Sequence, residues 1–239
     1  MSNSFFKFKE FTVHQDKTAM KVCTDACLFG AWVAENTNQS LLHHILDIGT
    51  GTGLLSLILA QNSSANIEAV EIERMAAEQA NENFKASKWS NQLHIHTASI
   101  LEFAQKHQKK FDLIISNPPF FEQQLKSTNA QRNIAMHSAH LTLSALAICI
   151  NQLLLDDGKA AILLPWNRAE EWKELAEKIG LYCIKETGVK QTTAHPYFRS
   201  MILMQKNAGT QYFDEISIKE GNEYSKAFSQ LLAPYYLAL

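Results

Sequence analysis

The stretch HILDIGTGTGLLSLILA, His44 to Ala60, decides how the rest of the chain is read. A short apolar run ends at Ile48, glycines follow at Gly49, Gly51 and Gly53, and a leucine-rich segment begins at once. Strand, glycine turn and apolar helix in that order form the local context that a nucleotide-binding turn requires. Working outward, the same alternation continues. NIEAVEI precedes a helical pattern through Ala76 to Phe84, QLHIHTAS and FDLIIS read as strands, and KAAILLP is followed by a helix around RAEEWKELAEKIG. Strands that alternate with helices imply parallel crossovers, hence a sheet with helices on both faces. YCIKETGVKQ and RSMILMQK are joined by too few residues to hold a helix, so they are expected to pair antiparallel.

The spacing of the glycines narrows the ligand. A dinucleotide fingerprint needs a third glycine three positions after the second, and Leu54 stands there. The tighter G-x-G-x-G turn suits a ligand without a pyrophosphate, as in the S-adenosylmethionine loop of class I methyltransferases. Asp47, just before the turn, can accept from the ligand's ammonium group or order the loop. About twenty residues on, AVEIE offers a carboxylate for the two ribose hydroxyls. Glu71 is the candidate, while Glu73 is expected to open the next helix, where an acid suits the helix dipole. In the third strand, Ser99 stands where many such enzymes carry an aspartate near the adenine ring, and its hydroxyl can still bond an adenine edge. His94 and His96 alternate along that strand and read as satisfied core or edge histidines.

The totals bound the function. At 239 residues and 46% hydrophobic, the chain can bury one sizeable core. Its net charge of -2 gives no global attraction to phosphate, so a nucleic-acid partner has to be held by a local basic patch. Four scattered cysteines, Cys23, Cys27, Cys149 and Cys183, make neither a disulfide framework nor a zinc site, and no metal is expected. MSNSFFKFKEF holds no apolar run long enough for a signal core or a membrane span, which points to a cytoplasmic protein.

DLIISNPPFF, Asp112 to Phe121, carries the chemistry. Pro118 and Pro119 cannot continue a strand ladder, so they end it rigidly and leave the Pro118 carbonyl free to accept. Asn117 adds an amide oxygen. Two acceptors a few ångströms apart match the two hydrogens of a planar amine or amide nitrogen. Accepting both favours a tetrahedral nitrogen whose lone pair can point at a sulfonium methyl. Phe120 supplies a face for a flipped-out base.

These motifs, with FKFKEFTVHQDKTAMKVCTDACLFGAW ahead of them, resemble the bacterial tRNA adenine-N6 methyltransferases that modify the adenine beside the anticodon of a valine tRNA. The resemblance runs from about Phe5 to Lys206, with a weaker echo in KEGNEYSKAFSQLLAPYYL. It departs from the family's pattern at Cys23, where a glycine is usual. It implies a Rossmann-like class I methyltransferase: an α/β fold with a mostly parallel seven-stranded sheet, an antiparallel C-terminal hairpin and helices on both faces. The implied layout is an N-terminal cap over residues 1–42, a core over 43–206 and a C-terminal extension over 207–239, all one compact unit. It also implies S-adenosylmethionine as cofactor and tRNA as partner, with Lys21, Thr24 and Asp25 lining the cofactor's entrance, Asp25 reading equally as an ordinary helix N-terminal acid. No membrane or obligate protein partner is implied.

The polar segment EQQLKSTNAQRNIAMHSAH reads either as a lid that orders on tRNA or as a solvated loop, and Lys126 and Arg132 within it are candidates for phosphate contacts. Further basic candidates are Lys7 and Lys9, the group Lys106, Lys109 and Lys110, and Arg199. Rival readings are methylation of another nitrogen (a guanine amine in ribosomal RNA, a release-factor glutamine, an adenine in DNA) and a non-catalytic cofactor-binding RNA scaffold.

Overall fold

The computed structural model describes residues 3–18, 20–118 and 141–238. The central sheet is wound around β3 (His44–Ile48), whose neighbours are β4 (Asn66–Glu71) and β6 (Phe111–Ser116), both parallel to it. These strands are buried almost throughout, as strands covered on both faces must be. Beyond β4 lies β5 (Leu93–Thr97) at one edge. On the other side, β7 (Leu154–Pro165) runs parallel to β6 and is followed by the hairpin of β9 (Tyr197–Gln205) and β8 (Tyr182–Thr192). Helices α1 (Thr24–Asn36) and α2 (Leu54–Ala60) belong to the apolar cluster on one side, together with Phe84 of α3 (Arg74–Ala86). Helices α4 (Ile100–Lys106), α5 (Leu143–Leu153) and α6 (Ala169–Glu177) contribute to the cluster on the other.

The seven strands expected from sequence are present, but the sheet does not stop at seven. β10 (Tyr212–Glu220) pairs parallel to β8, and β11 (Glu223–Tyr224) pairs with β10, giving nine strands among the described residues. The parallel pairing needs no helix here. β9 runs opposite to β8, so the chain leaving β9 already stands at the end where β10 must begin.

Strand order places the ligand crevice. The chain moves from β3 through β4 to β5 in one direction and from β6 to β7 in the other, so the order reverses between β3 and β6. Ligands of open α/β sheets bind at the carboxyl ends of the strands flanking such a reversal. The glycine turn leaves β3 there, and Asn117 leaves β6 there, with Ile48 and Ser116 directly paired.

The hairpin reaches past this edge. Ser116 is level with Ile162, Ile162 with Ile202, and Ile202 with Glu186. Residues Thr187–Thr192 of β8 therefore project about 20 Å beyond the end of β6, at roughly 3.3 Å per residue. β10 climbs with them, Lys219 pairing with Thr192. The result is a wall beside the crevice. Helix α1 braces it: Trp32 Nε1 donates to Thr187 Oγ1 at 2.9 Å, and Asp25 accepts from Arg199 Nε of β9 at 2.8 Å.

The N-terminal segment forms a small antiparallel ribbon, β1 (Phe5–Lys7) with β2 (Thr12–His14), and joins the main core. Phe8 stacks on Phe11 with centroids 4.5 Å apart, and Phe6 and Phe8 pack against Tyr236, just after α7 (Lys226–Leu232). The ends are also tied by hydrogen bonds, Lys9 Nζ to Ala233 O at 2.6 Å and Lys9 N to Tyr235 O at 2.8 Å. Phe6 and Phe8 thus serve the core, and Lys9 is engaged with the C-terminal segment.

Candidate active site

Glycines 49, 51 and 53 all adopt positive φ, of 71°, 56° and 83°, which only glycine enters at little cost. They do so for different reasons. A side-chain carbon at Gly49 or Gly51 would meet nothing within 4 Å, so these two keep open space above the turn. At Gly53 it would come within 2.5 Å of the Phe84 ring, so this glycine lets α3 pack against the start of α2.

The loop is fastened from both sides. Gly49 N and Thr50 N donate to Val70 O of β4, at 2.8 and 3.2 Å. Asp47 is fully buried. Its Oδ2 accepts from Thr50 Oγ1 at 2.6 Å and from Ser56 Oγ at 2.7 Å. Its Oδ1 is buried without a hydrogen-bond partner. Burial pushes the Asp47 carboxyl up to about 6, against the lowering effect of those two hydroxyls. Asp47 therefore orders the loop with one oxygen, the second of the two alternatives read from the sequence, and its other oxygen faces no donor among the described residues. An ammonium group is the donor that would most relieve the cost of this buried carboxylate.

Glu71 ends β4 as expected. Its Oε2 accepts from Gly51 N and its Oε1 from Glu73 N, each at 2.9 Å. These bonds aim the carboxylate along the turn and leave each oxygen a second lone pair for the hydroxyls of a ribose. Glu73 caps α3, accepting from Ala76 N at 2.6 Å. Ser99 caps α4, its hydroxyl oxygen accepting from Glu102 N at 3.2 Å. Its hydroxyl hydrogen stays available as a donor. The segment before it is held beside Glu71, since Ala98 N donates to Glu71 O at 3.0 Å. Asp47, the glycine turn, Glu71 and Ser99 thus lie on one continuous edge. The orphaned Asp47 oxygen, the open glycines and the spare Glu71 lone pairs fit S-adenosylmethionine.

At the end of β6, Ser116 Oγ donates to Ile48 O at 2.9 Å and locks this strand to β3 just below the crevice. Asn117 follows, half-buried, and Pro118 is buried. No hydrogen bond among the described residues engages the Asn117 amide. Pro119, Phe120, Lys126 and Arg132 lie outside the described residues, as does the polar segment that contains the last two.

The two remaining cofactor candidates are Lys21 and Thr24. Lys21 is exposed and donates to Asn3 O at 3.3 Å. Thr24 and Asp25 open α1 and face the wall formed by β8 to β11. Two of the basic candidates at the β5 side of the sheet are engaged as well. Lys110 Nζ donates to Gln152 O at 2.5 Å, and Lys109 lies 4.0 Å from Glu68.

Three supports were not anticipated. Thr50 and Ser56 fix the Asp47 carboxylate. Asn83, buried in α3, accepts from His14 N and donates to His14 O and Thr52 O, all at 2.8–2.9 Å, while Gln79 accepts from Lys17 N at 3.1 Å. The N-terminal ribbon is thereby fastened to the glycine loop. A signal for it exists, because Gln79 and Asn83 interrupt the buried stripe of Ala76, Ala77, Ala80 and Phe84. Buried polar residues are bonded in nearly all cases.

Comparison with known proteins agrees with this geometry. The model of the Methyltransferase small domain family matches residues 30–153. A tRNA1(Val) (adenine(37)-N6)-methyltransferase from Cytophaga hutchinsonii is 40% identical over the full length of both chains. The chain belongs to this family. Other members are the enzymes of the same name from Flavobacterium psychrophilum, 39% identical over 98% of this chain and 100% of that one, and from Trichodesmium erythraeum, 39% identical over 99% of each. Solved structures share the class I methyltransferase fold at low identity. One described as a "predicted O-methyltransferase" from Agrobacterium tumefaciens superposes with a TM-score of 0.67 at 14% identity, covering 90% of this chain and 98% of its own. A TehB-like SAM-dependent methyltransferase from Corynebacterium glutamicum gives 0.51 at 17%, covering 79% and 90%. No helix among the described residues of this tRNA methyltransferase family member is long and apolar enough to cross a membrane.

Proposed function

We propose that this chain methylates the N6 amine of the adenine at position 37 of tRNA1(Val), using S-adenosylmethionine, with Asn117 and Pro118 as the groups that hold the amine. The observation that carries the reading is the pairing of Ile48 with Ser116. It sets the glycine turn and the Asn117 amide side by side across the one reversal in strand order.

Asp47 Oδ1 receives the ammonium of the cofactor, Glu71 accepts from its ribose hydroxyls, and Ser99 donates to an adenine edge. When bound, S-adenosylmethionine supplies an electrophilic methyl on a sulfonium sulfur. The Asn117 amide oxygen and the Pro118 carbonyl accept the two hydrogens of the target amine. That draws its nitrogen from planar towards tetrahedral and frees the lone pair that ring conjugation otherwise ties up. The gain is one of orientation and of preorganised dipoles rather than of a strong base. Pro118 makes the mount stiff, because its φ is fixed. Phe120 stacks on the flipped base, and Lys126 and Arg132 hold its phosphates. These three roles rest on the sequence pattern. The exposed Ile72, directly after Glu71, offers an apolar face for the cofactor's adenine. The cytoplasm is the compartment in which such an enzyme meets its tRNA.

The test is incubation with labelled S-adenosylmethionine and separate pools of unmodified tRNA, ribosomal RNA and release factor. Label in a tRNA adenine is expected. Label only in protein would overturn the reading.

A further inference from the structure

Between the first turn of α1 and the wall lies a pocket of about 430 Å³, within the usual range of small-ligand sites of roughly 300–1,000 Å³. Thr24, Asp25, Gln191, Phe198, Ile218, Lys219 and Tyr224 line it. We propose that this pocket is a second nucleotide subsite, which takes an unstacked base of the tRNA close to, and distinct from, the methylated adenine. It rests on the assignment of tRNA as substrate.

Three observations support it. The first is position. Strand β9 is two strands from β6 and β10 is four, about 10–20 Å across the sheet at about 4.8 Å per strand, and the lining residues stand up to about 20 Å above the end of β6, so the pocket lies roughly 15–30 Å from Asn117. A base whose amine sits at Asn117 does not reach it, but a nucleotide a few positions away in the same loop does. The pocket also sits on the part of β8 to β10 that rises past the end of β6, where substrate must approach. Gln191 follows Lys190, and Ser217, level with Lys190, precedes Ile218.

The second is the kind of group presented. Phe198 is half-buried with the Arg199 guanidinium 5.4 Å from its ring centroid, and Tyr224, 38% exposed, has one face stacked on Phe228 with centroids 4.7 Å apart, so an incoming base meets the ring edges and the Tyr224 face over which Lys219 stands. The exposed Gln191 amide donates and accepts, as a base edge requires, and Thr24 adds a hydroxyl. Rings for stacking beside a few hydrogen-bonding side chains are how single-stranded RNA is read.

The third is charge. Asp25, the acid in the pocket lining, is matched by Arg199 at 2.8 Å with both side chains largely shielded, so its charge is offset. The Lys219 ammonium stays at the rim, 5.9 Å from the Tyr224 ring centroid. A phosphate beside the bound base would meet the Lys219 ammonium, with the exposed Glu220 and Glu223 next along the same hairpin. A wall that carries a pocket with ring edges, an amide and a lysine beside a tRNA-modifying crevice is a reader of the loop, not only a brace for the sheet.

The experiment compares the full-length chain with a Gln191→Ala, Tyr224→Ala double variant on tRNA1(Val). Both side chains are exposed, and circular dichroism with cofactor affinity checks the fold. The expected result is a KM for tRNA raised about tenfold, with kcat at saturating tRNA and cofactor affinity within twofold of the parent. Substrates carrying a single abasic nucleotide in turn at each position flanking adenine 37 then locate the base. At one position the parent loses affinity and the double variant does not, a coupling that a purely structural role would not produce. An unchanged KM, or losses that add independently at every position, would overturn the subsite. Failure of the parent chain to methylate this tRNA at all would instead overturn the substrate assignment, so the two failures are separable. Lys219→Gln provides an independent reading: a shallower salt dependence of tRNA binding is expected, and an unchanged slope counts against the phosphate contact.

Discussion

The two halves of the crevice are built by opposite means. On the cofactor side, Asp47, three glycines and Ser56 come from ten consecutive residues, with Glu71 one strand away, and hydrogen bonds among them fix the geometry before any ligand arrives. On the acceptor side, the end of β6 is short and stiff, and the surface beyond it is assembled from Thr24, Gln191, Phe198 and Tyr224, which are up to two hundred residues apart. A cofactor that never varies can be met by one rigid loop. A folded RNA has to be read at several points, and a wall gives those points a common frame.

The largest test of this contrast is Asn117→Ala. Removing one preorganised dipole at the reacting atom is expected to lower kcat by about 100- to 1,000-fold while leaving cofactor affinity within twofold, as measured by single turnover and by calorimetry. Full activity would mean that the acceptor side works without its amide.

Next come the glycines. Gly53→Ala places a carbon against the Phe84 ring at positive φ, and is expected to cost roughly 2–4 kcal/mol in denaturant unfolding, from strain and overpacking together. Gly51→Ala meets open space, and its cost in stability is about 1–2 kcal/mol. Its main effect falls on cofactor affinity. If the two variants lose equal stability, the division of labour between these glycines is wrong.

Asp47→Asn separates binding from folding. Its carboxyl titrates near 6 in the fold against an ordinary value of 3.8, so the folded chain holds the proton more tightly than the unfolded one. Stability therefore falls as pH rises between about 4 and 6, and then levels off. The amide variant removes that slope. It is expected to be at least as stable as the parent at pH 8, yet to bind S-adenosylmethionine tenfold or more weakly, since a charge-assisted bond is lost. For the parent, affinity should tighten as pH rises through 6 and Asp47 ionises. An affinity that is flat with pH would remove Asp47 as the ammonium's partner.

The smallest expected effect lies at the far edge of the sheet. Glu68 accepts from His96 at 2.9 Å when that nitrogen is protonated, and this bond is the main reason its carboxyl titrates low. Burial likewise lowers His107 from its ordinary 6.5. Both shifts act in the same direction. As pH falls below 6.5, the unfolded chain first takes up more protons than His107 does in the fold. Lower still, Glu68 protonates and its bond is lost. Hydrogen exchange of β5 and α4 should therefore speed up on acidification before that of β3 and β6.

How much of this was legible in the sequence follows the same division. The alternation of strands and helices, the antiparallel hairpin, the glycine turn and Glu71 are contiguous or fall at fixed offsets, and all stand where the pattern predicts. β10 and β11 were not anticipated. FDEISIKE is short and carries only Ile216 and Ile218 as buried apolar residues, and its parallel pairing with β8 has no helical crossover to announce it. Lys21 and Thr24 were read as cofactor residues by resemblance alone; in the fold Lys21 bonds Asn3 O and Thr24 lines the pocket between α1 and the wall. The pocket itself has no sequence signature, because its lining side chains become neighbours only through strand register.

The stitching of the two ends of the molecule has a consequence for its synthesis. Lys9 and its partner Ala233 are 224 residues apart, and the rings of Phe6 and Phe8 rest on Tyr236. At roughly 5–20 residues per second, the nascent ribbon waits about 10–45 s before the segment that covers it has been made. Throughout that interval its phenylalanines are exposed apolar surface on a growing polypeptide, the kind of surface that chaperones hold. The cradle for the cofactor can close early, but the amino-terminal ribbon completes its packing only when the last helix arrives.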